Sequence, residues 1–140
     1  MCRGGLDPFF RPLRRRQFYE SKVSPMIPSD FFTSLSIDQT SVMARFGGSA
    51  ALLERFLKKF PADPSWPSLC TALEQQDLPE VERAAHTLKG VAANFGFARL
   101  SQACADMVAA VRAGRPEDLP EAFGRAKEQY ETILAKIAQM

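Results

Sequence analysis

Residues 77–96, DLPEVERAAHTLKGVAANFG, contain a helix with its own start, face and stop. Asp77 offers a carboxylate to the free amides of a first turn, and Glu80 follows three residues later. Pro79 sits where its missing N–H does no harm. At about 100° per residue, Val81, Ala84, Ala85, Val91, Ala92 and Phe95 all fall within roughly 60° of Leu88, which makes one apolar stripe for a core. Gly96 ends the run. His86 falls about 160° from Leu88, so it is expected to face solvent.

The flanking segments follow the same period. Downstream, a helix is expected over about Ala98–Ala113, stopped by Gly114. The tetrapeptide at 77–80 recurs as Asp118-Leu119-Pro120-Glu121 and opens a last helix, with Phe123, Ala126, Tyr130, Ile133, Leu134 and Ile137 on one face. Upstream, Ser36 and Gln39 form a capping box for a short helix that Gly47-Gly48 ends. A further helix begins at Ser49, breaks at Pro61, Pro64 and Pro67, and resumes near Pro67 toward Asp77. No convincing strand pattern appears. The expected architecture is all-α: an antiparallel four-helix bundle with an additional short N-terminal helix, over residues 36–140.

Residues 1–35 show no sustained period. They contain Pro8, Pro12, Pro25 and Pro28 and the run Arg14-Arg15-Arg16, and are expected to form a flexible arm, although their aromatics allow part of it to pack on the bundle. Met26 is an alternative start. Residues 1–36 carry six Lys/Arg against three acids, whereas the remainder carries 12 against 13, so the bundle has no field to attract nucleic acid. A nucleic-acid or anionic-membrane role resting on Arg11–Arg16 is correspondingly weak.

The 140 residues suit one domain, and no window approaches the roughly 18 apolar residues of a membrane span. The opening stretch lacks the apolar core of a secretory signal, so a cytoplasmic location is expected. Cys2, Cys70 and Cys104 stand far apart and suggest neither a disulfide framework nor a zinc site. One histidine in the whole chain leaves no two-histidine metal centre, and no Gly-rich phosphate loop is present. No cofactor or metal is expected, and neither is autonomous kinase activity.

Chemistry therefore concentrates on His86 and its face. An imidazole is substantially neutral at pH 7 and acts as a nucleophile without a strong base. Lys89 places a cation one turn away, within reach of anything bonded to the ring. Gly90 in mid-helix costs about 1 kcal/mol relative to alanine, and with Ala93 it leaves the surface beside His86 nearly bare for another protein to approach. Each residue also has a bland reading: a random surface histidine, a solvated lysine and a glycine at a helix contact.

The run Ala85-His86-Thr87-Leu88-Lys89-Gly90, followed by Ala93-Asn94-Phe95-Gly96 and Leu100, resembles the signature of histidine-phosphotransfer (HPt) domains. Ala44-Arg45-Phe46-Gly47-Gly48 resembles the leading helix and turn of that family, and residues 1–35 lie outside the likeness. The resemblance implies a carrier that takes a phosphoryl group on His86 Nε2 from a receiver-domain aspartyl phosphate and passes it to another receiver. Lys89 would be the phosphoryl neighbour and Gly90 the docking clearance. The partners implied are receiver domains of a hybrid sensor kinase and a response regulator, which supply Mg²⁺ and the acidic pocket, and a monomer is expected. Ala93 and Phe97 extend the candidate docking surface, and Glu82, Arg83 and Arg99 flank it. Many family members have Glu or Gln on the following helix to orient the histidine, where this chain has Val108, so that role passes to water or Gln102. A module that docks receivers without accepting phosphate is the alternative.

Overall fold

A computed structural model describes residues 27, 28 and 30–140. Helices α1 (Asp30–Ser34), α2 (Gln39–Arg45), α3 (Ala50–Lys59), α4 (Ser65–Glu74), α5 (Leu78–Asn94), α6 (Ala98–Arg112) and α7 (Leu119–Ala138) follow one another, and no strand occurs among the described residues. The chain is an all-α helical bundle. Helix α5 packs against α4 on one side and α6 on the other, and α6 packs in turn against α7. No helix among the described residues is long and apolar enough to cross a membrane.

The helix ends explain the turns. Asp77 accepts the Glu80 amide at 3.3 Å and starts α5. At its other end Gly96 takes φ +77°, the Phe97 amide donates to the Ala92 carbonyl at 2.9 Å, and the Gly96 amide donates to Ala93 at 3.1 Å. This paired closure satisfies carbonyls that the helix leaves open. Glycine is doubly required here, because an added Cβ would lie 2.6 Å from Val42 Cγ2 and 2.9 Å from Ile37 Cγ2. The exit of α5 is thus pressed directly against the segment that leads into α2.

Three local expectations change. Ser36 does not cap α2; it takes φ +58°, and Asp38, two residues on, accepts the Ser41 amide at 3.3 Å. The proline break closes earlier than Pro67. Phe60–Ala62 form a 3-10 turn, Asp63 accepts the Ser65 amide at 3.0 Å, and α4 restarts there with Pro67 inside its first turn. Asp118 stands at the start of α7 but makes no capping bond. Its carboxylate accepts instead from Arg115 Nε at 2.8 Å across a 3-10 turn at Pro116–Asp118.

The core runs the length of the bundle. Leu53, Leu57, Leu69, Val81, Leu88, Leu100, Met107 and Ile133 are fully enclosed. Phe60 touches Phe95, Phe97 and Tyr130 with centroids 5.4–5.8 Å apart, and Trp66 stacks on Tyr130 at 4.2 Å. The arm assigned to residues 1–35 is shorter than its pattern suggests: Ile27, Phe31, Phe32 and Leu35 are buried in the same core. Burying each phenylalanine is worth about 1.5–3 kcal/mol, enough to fix α1 on the bundle. The rest of that arm, with the alternative start at Met26, lies outside the described residues.

Candidate functional site

The stripe Val81, Ala84, Ala85, Leu88 and Ala92 turns into the core and so fixes the rotation of α5. Everything on the far side of that helix is thereby held outward. His86 is exposed, as are Gly90 and Ala93, with Lys89 half-buried one turn along. Among the described residues no hydrogen bond reaches the His86 ring.

Among the described residues nothing requires Gly90 to be glycine. Its φ is not left-handed, and a Cβ built there meets nothing within 4 Å. The helix-contact reading fails on that observation.

Lys89 lies on the α6 side of the exposed face. The Ser101 hydroxyl donates to the Lys89 carbonyl at 3.3 Å, and the ammonium charge is felt at Cys104 of α6. Among the described residues no carboxylate pairs with it within 4.0 Å. Arg83 is occupied by Glu80 in a two-point ion pair. Glu82 is held by Arg112 of α6, whose Nε donates to its carboxylate at 2.7 Å. Arg99 is exposed at the start of α6.

Two expectations fall. Phe97 is only 2% exposed and packs on Phe60 and Phe95, so it belongs to the core and offers nothing to a docking partner. Its flanks, Gly96 and Ala98, sit at a turn, where periodicity does not fix direction. Gln102 does not turn to His86 either; its amide donates to Asp106 at 3.0 Å, and Asp106 also holds Arg125 of α7 at 3.0 Å. Val108 is 5% exposed and has nothing to offer a ring nitrogen.

Two site residues escaped the sequence pattern. Arg45 reaches from α2 to the end of α5 and donates Nη1 to the Ala93 carbonyl at 2.7 Å and the Asn94 carbonyl at 3.2 Å. A cation at a helix C-terminus also complements its dipole. Arg112 is the second, visible in sequence only as one of several charges near a helix end. Nothing short of the α5–α6 register marks it as the partner of Glu82.

A groove lies elsewhere among the described residues. About 830 Å³ in size, it is lined by Trp66, Leu73, Leu78, Val81, Leu119 and Phe123. Val81 lies about 140° around α5 from His86, so this groove and the exposed imidazole occupy different sides of the helix. No group of three or more His, Cys, Asp or Glu side chains is placed to hold a metal among the described residues.

The arrangement is an outward nucleophile, a nearby cation and a bare stretch of helix that a second protein can reach. A family model described as Hpt domain matches residues 51–138, a span that runs from the second residue of α3 to the last of α7 and takes in His86, Lys89 and Gly90. No curated protein and no solved structure matches the chain.

Proposed function

The chain belongs to the Hpt domain family, with the phosphotransfer role in two-component signalling that membership implies, and on that premise we propose that His86 is its phosphoacceptor. The carrier takes the group from the aspartyl phosphate of one receiver domain and passes it to another. In the first step His86 Nε2 attacks phosphorus, the P–O bond to the aspartate breaks, and the carboxylate leaves with its electron pair. The imidazole keeps its proton on Nδ1, so no strong base is required. The second transfer reverses these events onto another aspartate. In this reading the acidic pocket and Mg²⁺ of the reaction belong to the receiver, as family membership implies. In this reading the chain acts as a cytoplasmic monomer, and its partners are receivers of a hybrid sensor kinase and a response regulator.

One observation carries the proposal: His86 projects outward beside a Gly90 that nothing among the described residues requires. Lys89 supplies charge-assisted hydrogen bonding to the phosphoryl oxygens. Ala93 continues the bare surface, while Arg83 and Glu82 at its margin set partner choice. Incubation with phosphorylated receiver domains is expected to label the chain with acid-labile, base-stable phosphate, and His86→Gln to abolish the label. Absence of label across a broad receiver panel overturns the assignment.

A second reading is favoured by Val108 and the unbonded His86 ring. The same face would dock receivers without accepting phosphate. In that case no label forms, and His86→Gln leaves receiver affinity intact.

A further inference from the structure

Glu82 stands one turn before His86, at the spacing where side chains on a helix meet, with Cβ atoms about 5–6 Å apart. A phosphoryl group on His86 would bring close to two negative charges beside that carboxylate. Like charges at this spacing repel. Glu82 is, however, paired with Arg112 across the α5–α6 seam at 2.7 Å. Nε is the one Arg112 nitrogen with a hydrogen-bond partner among the described residues, leaving both terminal nitrogens of the fork available. The side chains are 64% and 31% exposed, so water screens the pair and opening it costs little.

Resting on the assignment of His86 as phosphoacceptor, we infer that Arg112 is a second phosphoryl-binding cation that Glu82 holds in reserve, released when His86 becomes phosphorylated. The carboxylate and the phosphoryl group compete for one guanidinium. Arg112 meets the phosphoryl oxygens from the α6 side of the seam, before His86, while Lys89 reaches them from beyond it. Two cations then face the dianion, and Glu82 tunes how strongly the second one holds it. Strong holding would make the chain a store of phosphoryl groups; the competition keeps it a donor.

The inference is tested on the full chain phosphorylated with phosphoramidate, which needs no receiver domain. The ³¹P resonance of the phosphohistidine is followed against pH, and its midpoint reports the cations around the phosphoryl group. A guanidinium within about 5 Å in a solvated setting lowers that midpoint by roughly half a pH unit. Arg112→Ala is expected to raise the midpoint by that amount, Arg112→Lys to raise it less, and Glu82→Gln to lower it below wild type. Unchanged thermal unfolding of these exposed-residue variants shows that the bundle is intact. A midpoint that does not respond to Arg112→Ala, in a chain that still takes phosphate on His86, overturns this inference alone. A chain that takes no phosphate on His86 from either source overturns both.

Discussion

Replacing Gly90 by alanine should make the bundle more stable and the carrier slower. The helix gains about 1 kcal/mol, the usual difference between the two residues in a helix interior. Nothing offsets that gain, because the new Cβ meets no atom within 4 Å. For a domain of this size the gain corresponds to roughly 4 °C in the unfolding midpoint. The same methyl group intrudes where a receiver approaches His86, and an extra group between packed surfaces costs about 1–3 kcal/mol, or about thirtyfold in transfer at the middle of that range. Gly124 of α7 provides the control, since a Cβ there also meets nothing within 4 Å. Gly124→Ala should raise the midpoint by a similar amount and leave transfer untouched. Calorimetry and single-turnover transfer from a labelled receiver measure the two effects. The reasoning fails if Gly90→Ala destabilises the chain, which would mean an internal role for the glycine. It fails equally if Gly90→Gln transfers at the wild-type rate.

Phe97→Ala should lower stability by about 3–5 kcal/mol in denaturant unfolding, as loss of a core ring does, whereas a ring used only for docking would leave stability unchanged. Burial pushes the Cys104 thiol up to about 12 from 9.0, so the folded chain keeps a proton that the unfolded chain releases. Its share of stability is therefore full below about pH 9 and falls above it by about 1.4 kcal/mol per unit toward pH 12. Cys104→Ala should flatten that part of the unfolding profile, and in native protein the half-buried Cys70 should react with a thiol reagent before Cys104 does.

The parts legible in sequence were those written in a single helix. Asp77, the Leu88 stripe and Gly96 fix where α5 starts, which way it faces and where it stops, and the exposure of His86 follows from them alone. Features that depend on a neighbouring element were not legible. Ser36 forms the capping pattern with Gln39 in sequence, yet it takes φ +58° and Asp38 caps α2 in its place. Asp118 repeats the Asp77 tetrapeptide yet spends its carboxylate on Arg115. Phe97 lies in a turn, where no period assigns a side. Phe31 and Phe32 belong to a helix of five residues, too short to show a stripe, whose burial comes from the bundle it leans on.

The grip of Arg45 and Val42 on the end of α5 bears on how this domain can be trimmed. A fragment cut to the matched span, residues 51–138, would keep His86, Lys89 and Gly90 and yet lose the clasp on the Ala93 and Asn94 carbonyls, along with the wedge of Ile37 and Val42 beside Gly96. It would also uncover the core where Phe31 and Phe32 had sat. A fragment that reaches back to Ile27, well upstream of the point at which the family pattern starts, keeps these contacts and should unfold at a higher temperature than one cut at residue 51.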